Sequence, residues 1–264
     1  MSKTKYRIRE SNLRYKQSLG QNFIYDDDLL SSLTEAAGVA ADEDVLEIGP
    51  GCGSLTKHLC RAARKVLSVE LDERLIPLIQ AFLAGESNWS LVQGDIMTLN
   101  LAEITRDLQK PFAVVANIPY YITSPIIEKV LAAENLPERM VLLMQKEVAE
   151  RIVSEKETVL SLKCKNRARV RLGAIVPKDE FTPPPKVDSQ VIIFEPHAPE
   201  VDEKVFEIIQ RGFTAPRKKL IHNLAGLKSK EELVKIFAEL GFSRDARPAD
   251  LHLKDYERLY KSML

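Results

Sequence analysis

Between residues 44 and 145 short apolar runs alternate with stretches of helical spacing. That alternation narrows the choice of fold more than any other feature of the 264 residues. Residues 45–48, 66–69, 89–92, 112–116 and 140–144 are apolar runs too short for helices, and they read as buried strands. Residues 55–64, 74–83 and 125–132 carry apolar side chains at helical spacing between them, the last with proline in its first turn. Strands joined by helices run parallel, with the helices covering both faces of the sheet. The spacing therefore predicts an α/β fold with a mostly parallel sheet.

Residues 146–153 have helical spacing. Two β-rich stretches, 170–176 and 187–194, follow and predict an antiparallel hairpin at the sheet edge. Pro196 and Pro199 punctuate the chain, and four helical patterns come after them: 203–213, 218–224, 230–240 and 253–263. The expected division is a first domain over 1–198, including a basic N-terminal segment, and a small all-helical domain over 199–264. An apolar fraction of 45% supplies a core of ordinary size. No apolar run approaches the roughly 18 residues of a membrane span, and the start of the chain has no apolar stretch of the secretory kind. Cys52, Cys60 and Cys164 are odd in number and form no CxxC, which reads as reduced thiols rather than a metal site or a disulfide frame. A monomer in the cytoplasm, with no metal and no membrane partner, is expected.

Charge is balanced at 38 basic and 38 acidic residues but unevenly placed. Residues 26–47 hold eight acids and no base, whereas 158–178 hold six bases and no acid: Lys163, Lys165, Arg167, Arg169, Arg171 and Lys178. Residues 1–20 carry six bases and one acid, and Arg211, Arg217, Lys218 and Lys219 form a third basic group. A neutral chain can still present one basic face to phosphate. The plainer reading is a set of solvated faces balanced across the fold.

Glu47-Ile48-Gly49-Pro50-Gly51-Cys52-Gly53 follows the first strand and opens a helix. Glycines there let a ligand approach the backbone at the carboxyl end of the strand. Ser54 breaks the G-x-G-x-x-G pattern, and no G-K-[ST] follows, so neither a dinucleotide fingerprint nor a phosphate loop is favoured. Glu70 ends the second strand and suits the two hydroxyls of a ribose, in a nicotinamide dinucleotide or in S-adenosylmethionine. Asp95, in Gly94-Asp95-Ile96 after the third strand, is placed to accept from an adenine amine. Turn glycines and capping carboxylates are the alternative.

Asn117-Ile118-Pro119-Tyr120 closes the fourth strand. An adenine amine is a poor nucleophile because its lone pair is delocalised into the ring. A site that alkylates it should accept hydrogen bonds from both N–H groups, and the Asn117 side-chain oxygen with the Pro119 carbonyl offers that pair. Tyr120 offers a ring for stacking on the base. Such catalysis is largely positioning. An Asx-type turn with a packed tyrosine is the plainer reading.

With these residues in view, the chain resembles the ribosomal RNA adenine dimethyltransferases, a family of small-subunit enzymes and erythromycin-resistance methylases. Gln17–Phe23 is similar to the family's N-terminal signature, Glu47–Gly51 to its methyl-donor loop and Asn117–Tyr120 to its catalytic motif. Met144–Arg151 and Phe181–Ser189 match two further blocks. That last block, with Arg217-Lys218-Lys219-Leu220 and Asn223-Leu224, looks more like the small-subunit branch. The resemblance implies a Rossmann-like methyltransferase sheet. It implies S-adenosylmethionine as cofactor and small-subunit ribosomal RNA, or the small subunit itself, as partner. The implied reaction is double methylation of two adjacent adenosines near the RNA 3′ end. Asn22, Ile24, Gly49, Gly51, Glu70, Asp95, Ile96 and Asn117 would then contact the methyl donor. Tyr120 and Phe181 would sandwich the target base, although Phe181 also reads as a packed loop aromatic.

The chain departs from the family pattern at 154–160, where a glycine-containing loop is replaced by the shorter Ser154–Val159 stretch. Lys163 and Arg167 share a helical face, and Arg169 and Arg171 share a strand face opposite Val170 and Leu172. These four are expected on the rim of the base pocket, on the RNA backbone, with Arg217, Lys218 and Lys219 as further RNA contacts. Tyr121, where asparagine is common, reads as tolerated variation. The competing functions are a resistance-type large-subunit methylase, a non-catalytic assembly or transcription factor, and a nicotinamide oxidoreductase. Intact Asn117, Pro119 and Tyr120 argue against the second, and Ser54 against the third.

Overall fold

The computed structural model describes residues 20–264. The basic residues from Lys3 to Lys16, and residues 17–19 of the N-terminal block, lie outside the described residues. A short strand, β1 (Phe23–Ile24), precedes α1 (Asp27–Ala37). The Asp26 carboxylate caps this helix by accepting the Leu29 N–H, and left-handed Gly38 ends it. The alternation then runs as the spacing predicts: β2 (Asp44–Ile48), α2 (Ser54–Ala62), β3 (Lys65–Glu70), α3 (Ile76–Phe82), β4 (Trp89–Gln93), α4 (Leu101–Ile104), β5 (Phe112–Asn117), α5 (Thr123–Leu131) and β6 (Arg139–Gln145). After them come α6 (Lys146–Val153), α7 (Val159–Arg167), β7 (Ala168–Val176), β8 (Phe181–Thr182) and β9 (Ser189–Pro196). Four helices complete the chain: α8 (Glu203–Gly212), α9 (Leu220–Leu224), α10 (Lys230–Leu240) and α11 (Leu253–Met263).

Seven strands form one sheet in the order β4-β3-β2-β5-β6-β9-β7. The five strands β4, β3, β2, β5 and β6 are parallel, and β9 is antiparallel to β6. The chain builds β2, β3 and β4 outward in one direction, then crosses to build β5 and β6 on the other side of β2. Such a reversal leaves a crevice at the carboxyl ends of the strands flanking it. Register brings those ends level, with Ile48 beside both Val69 and Ala116. The residues that follow, Gly49, Glu70 and Asn117, therefore share one rim.

The antiparallel edge differs in detail from a simple hairpin. β9 lies between β6 and β7, and the connection from β7 leaves the main sheet. Within it β8 pairs with β1, setting Ile24 opposite Phe181 and Phe23 opposite Thr182. Two-residue strands carry no periodicity, so this second sheet is not legible in the sequence.

The described residues up to Ala149, with Arg171–Pro196, form one compact unit. Its main core joins Leu30 and Leu33 of α1, Val45, Val66, Val115, Val141 and Val191 of the strands, and Leu59 of α2. Glu150–Val170 and His197–Leu264 form a second unit. The chain leaves the sheet for good within two residues of the expected boundary, but the second unit also takes in α7. Its core includes Leu162, Ile209, Leu220, Leu233, Phe237 and Tyr256. The shortened stretch at 154–160 is built into this unit. Glu157 is buried and meets Lys165 Nζ at 2.7 Å, Ser161 Oγ at 2.7 Å and His252 Nδ1 at 3.0 Å. Thr158 and Ser161 close a reciprocal cap at the start of α7. No helix among the described residues is long and apolar enough to cross a membrane.

Candidate active site

The rim at the carboxyl ends of β2, β3, β4 and β5 opens into a cavity in the first unit. Asn22, Ile24, Gly49, Gly51, Glu70, Asp95, Ile96, Asn117, Pro119 and Tyr120 all line it. These are the expected donor and amine contacts, brought together from four strand ends and the segment before α1. Phe181 does not line it. Its side chain is 2% exposed, in the main core with Ile24, Leu30 and Leu33. In this structure the ring is packed where β8 pairs with β1.

The glycine loop after β2 is shaped by its neighbours. The Gly49 N–H donates to the Val69 carbonyl, and the Gly53 N–H to Pro50. Gly51 has a φ of +61°, and a Cβ there would stand 2.7 Å from a Phe23 ring carbon, so only glycine fits. The Glu70 carboxylate spans this loop and the next turn: Oε2 accepts the Gly51 N–H at 3.0 Å and Oε1 accepts the Asp72 N–H at 2.8 Å. Burial raises the Glu70 pKa above its ordinary value. Gly94, at the end of β4, donates to the Glu70 carbonyl, which fixes the position of the following Asp95. Asp95 Oδ1 accepts the Met97 N–H at 2.8 Å, and Oδ2 retains its capacity to accept.

At the far side of the switch, Asn117 ends β5. Its side-chain Nδ2 donates to the Asn22 carbonyl at 3.1 Å. Only an N–H can serve that carbonyl, so the partner decides the orientation of the amide, and Oδ1 is left as the free acceptor. The Pro119 carbonyl accepts from Ile122 N–H at 3.2 Å and has a second lone pair. Tyr120 Oη shares a 2.7 Å hydrogen bond with Ser189 Oγ, whose side chain is fully buried at the start of β9. Burial raises the Tyr120 pKa, keeping the phenol neutral.

Three features escaped sequence reasoning. Ser189 ends the Phe181–Ser189 block, but nothing in the pattern ties it to Tyr120. Gln21 Nε2 reaches the Asp72 carboxylate at 2.7 Å, and with Arg74 it holds the Asp72 pKa down to about 2, the arginine hydrogen bonds acting most strongly. Glu47 and Ser54 also line the cavity, and Glu47 Oε1 and Ser54 Oγ are buried without hydrogen-bond partners among the described residues.

The expected RNA contacts are dispersed, and none of the seven lines the cavity. Arg169 and Arg171 are exposed on β7, alternating with half-buried Val170 and Leu172 as the period predicts. Lys163 and Arg167 are half-buried on α7, and Arg167 pairs with Glu203 at 3.0 Å. Arg217, Lys218 and Lys219 are exposed between α8 and α9, with Lys219 paired to Asp245.

Comparisons with known proteins agree with this geometry. Residues 12–263 match the family model described as ribosomal RNA adenine dimethylase. A protein of Listeria welshimeri serovar 6b named ribosomal RNA small subunit methyltransferase A is 37% identical, the match spanning 97% of this chain and 93% of that one. One of the same name from Latilactobacillus sakei subsp. sakei is 40% identical over 88% of this chain and 82% of its own. Among solved structures, a dimethyladenosine transferase from Plasmodium falciparum superposes with a TM-score of 0.76 at 25% identity, covering 91% of this chain and 98% of its own. The 23S rRNA methyltransferase ErmE does so at 0.72 and 26%, covering 92% and 99%. A match over nearly all of the chain, on a fold whose strand ends converge on one cavity, makes this chain a member of the ribosomal RNA adenine dimethylase family.

Proposed function

We propose that this chain transfers methyl groups from S-adenosylmethionine to the exocyclic amines of two adjacent adenosines near the 3′ end of small-subunit ribosomal RNA, twice on each. The observation that carries the reading is the fixed Asn117 amide. With its N–H committed to the Asn22 carbonyl, its oxygen faces the cavity beside Pro119 and Tyr120 as an acceptor of N–H. Relatives named for the small subunit, 37% and 40% identical over most of the chain, support that target.

The cavity fits the donor. Glu70 supplies carboxylate lone pairs for ribose hydroxyls, Asp95 Oδ2 accepts from the adenine amine, and Ile24 and Ile96 give apolar walls. The unpartnered Ser54 hydroxyl and Glu47 oxygen offer polar contacts beside the glycine loop. When bound, the donor's sulfonium supplies an electrophilic methyl group. Asn117 Oδ1 and the Pro119 carbonyl accept the two N–H groups of the target amine, which turns its lone pair away from them. Tyr120, anchored by Ser189, stacks on the base and fixes its plane. After alkylation the nitrogen is a strong acid, and its proton passes to water without a dedicated base. Orientation in the cavity accounts for most of such a rate. The exposed Arg169, Arg171, Arg217 and Lys218 hold the RNA backbone without reading its sequence. The setting of such an enzyme is the ribosome-assembling cytoplasm, acting as a monomer.

Asn117→Ala tests the reading. Removing one preorganised hydrogen-bonding group from a site of this kind costs about 10²–10³ in rate. Single-turnover methylation should fall by that factor while RNA affinity, measured by filter binding, stays close to that of the wild type. An unchanged single-turnover rate would remove Asn117 from the chemistry.

A further inference from the structure

We propose that Tyr121 provides a second aromatic platform, on which a nucleobase of the RNA strand next to the target base stacks. The proposal rests on the site reading above and extends it to the substrate strand. The cavity was expected to hold two aromatic faces, from Tyr120 and Phe181, and the structure withdraws Phe181 into the core at 2% exposure. The residue after Tyr120 is a further aromatic on the cavity wall. Tyr121 lines the same cavity as Asn117 and Tyr120, yet it is 56% exposed.

The ring is seated rather than trailing in solvent. Gly20 lies directly against it: a Cβ at Gly20 would stand 3.3 Å from Tyr121 Cδ1, 3.4 Å from Cε1 and 3.2 Å from Pro119 Cβ. Gly20 has a φ of +59°, so a bare backbone turn forms the seat. Asn22 Nδ2 donates to the Gly20 carbonyl at 3.1 Å, tying that turn to the residue that orients Asn117. An aromatic ring that rests against a backbone turn and is more than half exposed offers a surface for stacking.

Strand order decides between the two ligands such a ring could serve. The carboxylates suited to the donor, Glu70 and Asp95, follow β3 and β4, on one side of β2. Tyr121 follows β5, on the other side, beyond Asn117 where the amine is held. The donor is expected to be enclosed, whereas Tyr121 stands at the open mouth. An RNA strand entering with one base turned inward must pass its neighbouring nucleotide across that mouth. Base–aromatic stacking tolerates any base, because every base has a π-face.

The test uses the full chain with small ribosomal subunits that lack the modification, comparing Tyr121→Ala, Tyr121→Leu, Tyr121→Phe and Tyr121→Trp. The Ala and Leu variants should raise the KM for subunits by about five- to a hundred-fold, the weight of one base–aromatic stack. Their kcat and donor KM should be unchanged, and Phe and Trp should restore the wild-type KM. A KM for subunits that is unchanged in the Ala and Leu variants overturns the proposal. So does a rise that Phe and Trp share, or a rise in the donor KM instead. Tyr120→Ala, run alongside, separates the two claims. Lost methylation there with silent Tyr121 variants rejects only the platform, whereas full activity in Tyr120→Ala rejects the site itself.

Discussion

Single residues show why an acidic run read from sequence is a poor guide to surface. Glu43, Asp44 and Glu47 all lie in the stretch of eight acids, yet each is at most 3% exposed. Glu43 meets Arg139 and Asp44 meets Arg64, so two of the three are paired by bases distant in sequence. Glu47 has no such base. It accepts from Ser68 Oγ at 2.7 Å, and burial pushes its pKa up to about 7. The folded protein therefore holds the proton more tightly than the unfolded chain does. The resulting stability is fully present below the ordinary carboxyl range near 4.5 and is lost as pH rises through 7. At 1.36 kcal/mol per pH unit, the loss amounts to about 3 kcal/mol. Glu47→Gln should flatten the fall in unfolding free energy between pH 5 and pH 8, as read by denaturant titration. Parallel pH profiles for wild type and variant would mean that Glu47 is ionised at no cost. By contrast, Asn117, Glu70 and Asp95 were legible, because polar residues ending apolar strands have few structural reasons to be there.

At the scale of elements, the small sheet of β1 and β8 decides the fate of Phe181. It sets Phe181 opposite Ile24, and β1 directly follows Asn22, whose carbonyl orients Asn117. A purely packing role for Phe181 has a measurable consequence. Phe181→Leu should keep both the stability and the KM for RNA near wild type, whereas Phe181→Ala should cost about 3–5 kcal/mol of stability. A Leu variant of normal stability whose KM for RNA rises steeply would return Phe181 to the base pocket. The segment between α8 and α9 makes a different contribution. Arg217, Lys218 and Lys219 are exposed there, and their effect should run through phosphate. RNA affinity should fall with salt at a logarithmic slope of about −0.7 per neutralised phosphate for a single-stranded target. Replacing all three with Gln should flatten that slope in filter-binding measurements, and an unaltered slope would show them merely solvated. Lys163 and Arg167 lie on α7, where Arg167 is engaged with Glu203 and the helix is anchored by the buried Glu157. That anchor was hidden from sequence reasoning. Its cap pairs Thr158 with Ser161 rather than with an acid, and Glu157 finds Lys165 and His252 only in the folded unit.

Across the whole molecule, the sheet was legible for a physical reason. Parallel strands buried on both faces must be continuous apolar runs, and helices between them must show a single apolar stripe. The order of strands follows from neither property. It emerges when the chain reverses direction at β2, and that reversal creates the crevice in which four strand ends converge. The C-terminal helices were legible by the same periodicity, but the grouping of α7 with them was not, because α7 precedes two strands of the sheet in sequence. The central claim is that this crevice positions an adenine amine of small-subunit RNA for two successive methylations. The most direct measurement gives the purified protein a labelled methyl donor and small ribosomal subunits lacking the modification, then identifies the labelled nucleosides. The account predicts label in N6,N6-dimethyladenosine on two adjacent nucleotides near the 3′ end. Label confined to monomethyladenosine, to another base or to large-subunit RNA offered in the same reaction would contradict it.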